Sequence, residues 1–491
     1  PPRAVRQIAA IALLALRNVF RSRVVLILSA LLFAAAFLLP LALRSDGTPE
    51  GLIRIHLAYV LGIAAFLLTL STLWAGCAAI SQEADDKTLQ LLLVKPVPRL
   101  RIWLGKWIAL LVLDALLLAL VGGAAAATLQ LKLRRGGFDS AALAVARQTT
   151  LASLQTLRAP LPDVEADVRA EYERLRARRA LPENVSESVI LDSLRRTQLA
   201  RIYSTAPGAA RAWTFDLSPD AGNRVPSKAL AQEGGSSSLL VQFKADSSIP
   251  GAAEIRATLE LQADGQTHAR EILAKPGNPQ TLLFDGIPVQ ASQATVTFRN
   301  HGAHGAALFF DPTDGLVLRR PAGTFAGNYL RALAQLYLRL ALFAAIGVTL
   351  GTLFSMPVAT FLTLVLILVL QLSGFITAAA QVDRATFVQN VAPFGATAHS
   401  HGEGEAAAVP EPSFAARATA TVLFYAYRGT YLTLRPLLED RTLDALSTGT
   451  YLPPRDLLRN VLQQGLVLPL LLAALSAAVL RKREWALPSL S

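Results

Sequence analysis

Six apolar runs constrain the fold of this 491-residue sequence more than any other feature. They cover residues 24–43, 57–79, 107–128, 332–353, 358–379 and 461–480. A helix needs about 20 residues to cross a hydrocarbon core of about 30 Å, and the length of each run is close to this value. The spans must be helical, because lipid cannot satisfy the backbone groups of isolated strands. The sequence therefore predicts an α-helical polytopic membrane protein with six transmembrane helices.

Basic residues flank the predicted spans, and their positions predict the topology. Three segments carry them: Arg3, Arg6, Arg17, Arg21 and Arg23; Lys87, Lys95, Arg99, Arg101 and Lys106; and Arg481, Lys482 and Arg483. Basic residues beside spans mark the cytoplasmic side, and six spans place both termini there. These flanks account for much of the formal net charge of +12. We therefore expect membrane lipids as neighbours and no nucleic acid partner.

The segments between the spans differ in character, and they divide the chain into seven parts. These are an amphipathic helix on the cytoplasmic surface (1–23), spans one to three with an inner stretch at 81–99 (24–131), an extracytoplasmic helical segment (132–211), an extracytoplasmic β-sandwich (212–320), spans four and five (321–379), an extracytoplasmic loop with interfacial helices (380–457), and the last span with a basic cytoplasmic tail (458–491).

The polar insert between spans three and four predicts an α+β extracytoplasmic domain. Its first part repeats apolar residues every three to four positions, for example Val164, Val168, Tyr172 and Leu175, which indicates helices. Its second part has short alternating runs such as EIRATLELQA and QATVTFRN, separated by Gly, Pro, Asn and Asp. This pattern is typical of a small antiparallel β-sandwich.

The inner stretch SQEADDKTLQLLLVKPVPRLRIWLGK (81–106) is more structured than a simple connection between spans requires. Ser81 is placed to cap a helix whose first turn is acidic, which suits the positive end of a helix. Leu89, Leu92 and Leu93 form one apolar face, and Pro96 stops the helix. The pattern predicts a short, stiff amphipathic helix with an apolar face to bury in lipid headgroups or in a partner protein.

Several kinds of site are missing from the sequence. It contains no GxxxxGK[ST] phosphate-binding loop, so we expect no ATP site in this chain. Cys77 is the single cysteine, which excludes an intrachain disulfide and a cysteine-based zinc site. HGAH (301–304) and HSH (399–401) have the character of loop histidines, and we expect no metal site and no catalytic residue.

The inner stretch resembles the membrane subunits of ABC-2 type ABC transporters. The loop of that family is matched in spacing by Glu83, Thr88, Leu89, Leu92, Leu93, Pro96, Arg99 and the pair Gly105-Lys106. Lys87 stands where the family usually has glycine, and Pro98 where it has a small polar residue. Residues 1–23, FSMPVATF (354–361) and the C-terminal part ending in RKRE (481–484) resemble the family as well.

The resemblance implies how such a chain works. The stretch 81–99 would be a coupling helix on which a separate cytoplasmic ABC ATPase docks, with Glu83, Thr88, Leu89, Leu92, Leu93, Pro96 and Arg99 at the contact. ATP and magnesium would bind to that ATPase and not to this chain. A second copy of the chain is the expected membrane partner. The composition, rich in Ala, Leu and Arg, indicates a bacterial protein, and hence the bacterial inner membrane.

Asp114 lies inside the third predicted span, where a charge costs about 2.5–3.5 kcal/mol on insertion scales. A buried ionisable group in a span is a candidate functional residue. For Asp114 we consider a polar contact within the bundle, a role in the translocation path, and a place at a dimer interface.

The sequence as a whole favours the permease subunit of an ATP-driven ABC transporter, with export as the expected direction. A first alternative keeps the same ATPase-driven membrane part, which would perform mechanical or assembly work on an extracytoplasmic glycan, lipoprotein or other partner. A second alternative is a membrane-anchored adhesion or sensor protein without an ATPase.

Overall fold

A computed structural model describes most of the chain in two compact units. The described residues are 3–43, 46–86, 97–181, 187–218, 236–249, 254–288, 291–302, 305–372, 387, 414–438 and 442–482. The first unit, here the helical unit, consists of 1–152, 325–380 and 430–491. The second, here the β unit, consists of 153–324 and 381–429.

The helical unit contains long apolar helices joined by short ones. Its helices are α1 (Arg3–Arg21), α2 (Arg23–Ala42), α3 (Pro49–His56), α4 (Gly62–Asp85), α5 (Arg99–Arg135), α6 (Ser140–Thr149), α9 (Phe325–Leu353), α10 (Met356–Gln371), α12 (Thr442–Ser447), α13 (Pro454–Asn460) and α14 (Leu468–Lys482). Two π-helical segments, Leu57–Leu61 and Val461–Val467, join α3 to α4 and α13 to α14.

Five helical segments in the described residues are long and apolar enough to cross a membrane. They are Arg23–Ala42, Pro49–Asp85, Arg99–Arg135, Phe325–Leu353 and Pro454–Arg481. The predicted span 358–379 corresponds to the shorter apolar helix α10, and residues 373–379 lie outside the described ranges. The helical membrane part is thus confirmed, whereas the count of six spans is not.

Three glycines let α4 and α9 pack almost backbone to backbone. A methyl group added at Gly76 would lie 2.9 Å from the Cα of Gly347, and one added at Gly347 would lie 2.9 Å from the carbonyl oxygen of Leu73. Gly351, one turn further along α9, packs against the carbonyl of Cys77. Small residues at such crossings allow close van der Waals packing, which stabilises helix pairs in lipid.

Aromatic side chains connect α5 to α9 through hydrogen bonds to backbone carbonyls. The Trp107 Nε1 group donates to the Ala341 oxygen at 2.8 Å, and the Tyr329 hydroxyl donates to the Gly122 oxygen at 2.7 Å. The Tyr337 hydroxyl donates to the Leu111 oxygen at 3.3 Å. Because these carbonyls already belong to helices, the contacts orient the two helices without leaving a buried polar group unsatisfied.

Helix α12 and the segment after it are anchored on α9. Asn328, which is fully buried, donates from Nδ2 to the Thr450 oxygen at 2.8 Å and accepts from the Leu452 backbone N–H at 2.9 Å. The Thr442 hydroxyl donates to Gln335 Oε1 at 2.8 Å. These side-chain bonds hold the chain against α9 just before α13 and α14 begin.

The β unit combines helices with antiparallel sheets. Its helices are α7 (Glu165–Ala177) and α8 (Glu187–Ile202), and helix α11 (Phe414–Leu438) contributes residues to both units. Its strands are β1 (Ala152–Arg158), β2 (Ser204–Thr205), β3 (Ala210–Asp216), β4 (Ser236–Phe243), β5 (Ala245–Ser247), β6 (Ile255–Ala263), β7 (Gln266–Ala274), β8 (Gln280–Pro288), β9 (Gln293–Asn300), β10 (Leu308–Phe310) and β11 (Leu316–Thr324).

The strands form three sheets around one hydrophobic core. Their orders are β1-β11-β4-β8, β2-β10-β5 and β3-β9-β6-β7. Alternate residues of β6 and β9 are buried, as the period of two predicts. Phe243 of the first sheet meets Phe298 of the third edge to face, with ring centroids 5.5 Å apart. The predicted α+β fold class with antiparallel sheets is therefore confirmed.

The predicted helical segment 132–211 contains more than helices. It includes α6, α7 and α8, but also β1, β2 and the first residues of β3. Strand β1 has the sequence ASLQTLR, in which Ser153 and Leu154 are buried beside β11. Its partner strand is more than 150 residues away in sequence, so local periodicity alone could not identify it.

The glycine crossing predicts a large difference between two substitutions in α4. Gly76→Ala places a methyl group against the α9 backbone, which cannot move aside as a flexible side chain would. Overpacking of this kind costs about 1–3 kcal/mol of the free energy of unfolding. Gly62→Ala is the control, because a methyl group there meets nothing within 4 Å. Thermal unfolding in detergent should show a lower midpoint for Gly76→Ala and no loss for Gly62→Ala; equal midpoints would contradict the crossing.

Candidate functional site

The predicted coupling residues divide into a described and an undescribed group. Glu83 lies in the last turn of α4, and Arg99 is the first residue of α5. The other predicted contact residues, Thr88, Leu89, Leu92, Leu93 and Pro96, lie outside the described residues. The described part of the site consists of the two helix ends between which the stretch runs.

An ion pair joins these two helix ends. Lys106 Nζ of α5 lies 2.6 Å from Glu83 Oε2 of α4. The Lys106 side chain is 2% exposed, and that of Glu83 is 21% exposed. Because removing one partner of a buried ion pair leaves an uncompensated charge, the pair strongly favours one relative position of α4 and α5. The Ala79 carbonyl also accepts a hydrogen bond from Lys106 Nζ. We call Glu83, Lys106 and the Ala79 carbonyl the loop clamp.

The position of Glu83 explains why it needs the Lys106 ammonium. A carboxylate in the last turn of a helix faces the negative end of the helix dipole, which disfavours it. Lys106 in turn is buried among the helices, where an unpaired ammonium would be costly. Each group therefore compensates for the unfavourable position of the other.

The structure corrects the start predicted for the coupling helix. Ser81 does not cap a new helix, because α4 continues without a break from Gly62 to Asp85. The Ser81 hydroxyl donates to the Cys77 carbonyl at 2.7 Å, one turn back within α4, and lies 3.0 Å from Met356 Sδ. Ser81 therefore connects α4 to the first residue of α10, and the acidic residues that follow it end α4.

Helix α1 packs on α5 beside the loop clamp. A methyl group added at Gly105 would lie 2.7 Å from Ile11 Cγ2, so the absence of a side chain at Gly105 lets the two helices touch. Arg101 Nη1 donates to Gln7 Oε1 at 2.7 Å. Ile11, Ala15 and Val19 are buried on this side of α1.

The other face of α1 remains apolar and exposed. Val5, Leu13 and Leu14 are each more than half exposed. Helix α1 therefore has one buried face on α5 and a second apolar face that is about half exposed.

Asp114 is a residue of α5, and its side chain is buried in the helical unit beside α4. Its carboxyl is 1% exposed, and Thr72 donates from Oγ1 to Asp114 Oδ1 at 2.7 Å. The second oxygen, Oδ2, has no hydrogen-bond partner among the described residues, and neither does the neighbouring Ser71 hydroxyl. Of the expectations for Asp114, the structure supplies the polar contact within the bundle; a role in translocation or at a dimer interface stays a prediction.

Sequence reasoning missed three parts of the site. Lys106 was recognised as part of a motif but not as the partner of Glu83, although its charge beside an apolar run was a usable signal. The contact between Gly105 and Ile11 and the bond from Thr72 to Asp114 join separate helices. No local pattern reports such contacts.

The comparison with known families bears on the same part of the chain. Residues 9–156 match the family model described as ABC-2 family transporter protein. Over this range the chain is similar to the ABC-2 family transporter proteins. The match begins in α1 and ends in β1, so it includes the loop clamp and the whole stretch 81–99. No curated protein and no solved structure matches the chain.

The match confirms the family resemblance that the 81–106 stretch indicated. The match supports a membrane component of an ABC transporter, a type of subunit that is generally not catalytic itself. The family implies an ABC ATPase as a partner. The resemblance of residues 354–361 and of the C-terminal part lies outside the matched range and stays a prediction.

The loop clamp predicts strong energetic coupling between its two side chains. Glu83→Gln should lower the free energy of unfolding by about 3 kcal/mol, because it leaves the buried Lys106 ammonium without its counter-charge. Lys106→Met should cost less, because the Glu83 side chain is 21% exposed and water can partly solvate it. The double variant should lose less than the sum, by about 0.5–3 kcal/mol, as contacting residues do. Thermal unfolding in detergent provides the comparison.

The matched control is the exposed pair Glu173 and Arg176 in α7, whose closest atoms are 3.8 Å apart. The same cycle there should give a coupling of about 0–1 kcal/mol, as is usual for surface pairs. Additive effects of Glu83→Gln and Lys106→Met would contradict the loop clamp.

Proposed function

We propose that this chain is the permease subunit of a bacterial ATP-driven ABC exporter, and that a separate cytoplasmic ATPase docks on the stretch 81–99. The observation that carries the proposal is the family match over residues 9–156, which contains that stretch. The missing phosphate-binding loop agrees with ATP and magnesium being held by the partner.

The loop clamp supports a mechanical role for the stretch. If the stretch transmits a force from the ATPase to the membrane helices, its two ends must move together. Otherwise the force would only bend the loop. The contact between Glu83 Oε2 and Lys106 Nζ, at 2.6 Å, joins the two helices at these ends. A displacement of the stretch would then move α4. Because α4 and α9 pack backbone to backbone at Gly76 and Gly347, α9 would move with it.

The remaining parts of the proposal concern the assembly and its orientation. Two copies of the chain would form the membrane part, with two ATPase subunits on the cytoplasmic side of the inner membrane. Both termini would be cytoplasmic, because basic residues flank the first and the last span on that side. The β unit would then be extracytoplasmic.

Co-purification with the ATPase tests the docking site. We expect that Leu92→Asp removes the ATPase from the complex, because a carboxylate replaces an apolar anchor of the contact. Leu161→Asp is the matched control, since Leu161 is an exposed leucine (53%) of the β unit. Glu83→Ala is less suitable, because it also breaks the loop clamp. Retention of the ATPase at wild-type levels by Leu92→Asp would contradict docking at this face.

A second candidate function is ATPase-driven work on an extracytoplasmic partner without transport of a solute. The β unit favours it, because this unit has its own hydrophobic core, built from residues such as Phe215, Leu259 and Phe298. A permease that only forms a path across the membrane needs no such domain. The partner class could be a glycan, a lipoprotein or another protein.

Replacing residues 153–324 by a Gly/Ser linker separates these two functions. If the chain is an exporter, the truncated protein should still bind its ATPase and export substrate. If it works on an outer partner, ATPase binding should remain while the cellular function is lost. ATPase binding therefore serves as the control for correct folding of the helical unit.

A further inference from the structure

A polar cavity lies at the end of α5 opposite the loop clamp. It has a volume of about 580 Å³ and is lined by residues of the α2–α3 connection, the last turn of α5 and the start of α6. Leu43, Leu52, Phe138 and Ala142 form its apolar wall. Lys132, Glu50, Asp139 and Thr48 supply the polar groups.

Charges of both signs line this cavity without pairing. In the described part of the chain, Lys132, Glu50 and Asp139 form no ion pair within 4.0 Å. When opposite charges line one cavity and do not pair with each other, a ligand that carries both charges can bind between them. Glu50 suits the first turn of α3, Asp139 is the N-cap of α6, and Lys132 suits the last turn of α5. These three helix ends bring charges of both signs to one cavity.

Lys132 is held in place with donors to spare. Its ammonium donates one hydrogen bond to the Leu43 carbonyl at 3.1 Å. An ammonium group has three donors, and among the described residues one of them is used, so two remain for a ligand. The bond to Leu43 fixes the charge at the end of α2, on the border between apolar and polar surface. An anionic group placed in the cavity would meet a positioned donor.

The surface beside the cavity is suited to hydrocarbon. Leu41 in the last turn of α2 is 79% exposed, and Leu131, the residue before Lys132, is 45% exposed. Both belong to helices that are long and apolar enough to cross a membrane. The charged cavity therefore suits the head of a lipid-like ligand, and the apolar surface beside it suits the ligand's hydrocarbon chains.

We propose that this cavity binds the headgroup of a zwitterionic phospholipid with a primary ammonium, of the phosphoethanolamine type. Lys132 donates to the phosphate, and the carboxylates of Glu50 and Asp139 accept from the ammonium. The acyl chains lie along α2 and α5. The proposal does not depend on the ATPase partner or on the transport direction, because it uses only groups at the opposite end of the helices.

The chemistry of the three charged groups distinguishes this headgroup from others. A phosphoglycerol headgroup has no ammonium for Glu50 and Asp139, which then repel its negative charge. A phosphocholine headgroup carries a quaternary ammonium, which has no N–H to donate. Charge-assisted hydrogen bonds to carboxylates are roughly twice as strong as neutral ones, so the primary ammonium should be preferred.

Native mass spectrometry of the full-length, delipidated protein tests the site. Phosphatidylethanolamine, phosphatidylglycerol and phosphatidylcholine of equal chain length are titrated one at a time. We expect phosphatidylethanolamine to bind about tenfold more tightly than the other two, which corresponds to about 1.4 kcal/mol. Glycerophosphoethanolamine, which has no acyl chains, shows whether the headgroup alone is sufficient.

Four variants locate the binding. Lys132→Gln should weaken phosphatidylethanolamine binding about tenfold, and Glu50→Gln and Asp139→Asn should remove its preference over phosphatidylglycerol. Arg134→Gln is the matched control, because Arg134 is an exposed cation two residues from Lys132 and does not line the cavity. Asp139 is exposed, so its variant keeps the test valid if Lys132→Gln does not fold.

Two results would overturn the proposal. One is equal binding of phosphatidylethanolamine and phosphatidylglycerol by the wild-type protein. The other is an equal loss of phosphatidylethanolamine binding in Lys132→Gln and Arg134→Gln, which would indicate general attraction between basic residues and phosphate. Tight binding of glycerophosphoethanolamine would identify a soluble headgroup compound, and not a lipid, as the ligand.

Discussion

The arrangement of helices at one end of the helical unit depends on the ion pair between Glu83 and Lys106. In our proposed orientation this is the cytoplasmic end. The ion pair joins the last turn of one membrane helix to the second turn of the next, with the stretch 87–96 between them. Lys106 is nearly enclosed by protein, so removing Glu83 would leave an unpaired ammonium in apolar surroundings. Two further contacts lie close to this ion pair in the sequence. Helix α1 packs on Gly105, and Met356 of α10 contacts Ser81.

The rest of the helical unit extends this fixed arrangement across the membrane part. Gly76 brings α4 against α9, and Trp107, Tyr329 and Tyr337 connect α9 to α5 by hydrogen bonds. Three helices are thus held pairwise by contacts that tolerate little displacement. Under the proposed function, a movement imposed at 81–99 would shift α4, α5 and α9 together. Asp114 and Ser71 are among the residues of these helices that retain a buried polar atom without a hydrogen-bond partner in the described residues.

The sequence predicted the classes of structure well, because they depend on local patterns. Apolar runs predicted the long helices, and alternation with turn residues predicted β4 and β6 to β9. Local patterns failed where the structure depends on distant partners. Strand β1 has a helix-like neighbourhood and pairs with β11, and Ser81 follows a pattern typical of a helix cap but lies inside α4.

For the site, the sequence identified one half of the loop clamp and missed the other. Glu83 stood out through its place in a family motif, whereas its pairing with Lys106 depends on how two helices return side by side. The close crossing at Gly76 and Gly347 was not predicted, because a glycine in an apolar run has several possible roles. The distance between the ends of the stretch is therefore information that only the folded chain supplies.

The most direct test of this account is the distance across the ends of the stretch while the ATPase works. Spin labels at Asp86→Cys and Leu100→Cys, in a Cys77→Ser background, report that distance by electron spin resonance. Both positions are exposed, and Cys77 is the single native cysteine. The account predicts one narrow distance distribution, the same in the nucleotide-free and ATP-bound complexes, which broadens in Lys106→Met. A change of the distance between the two nucleotide states with the loop clamp intact would contradict it.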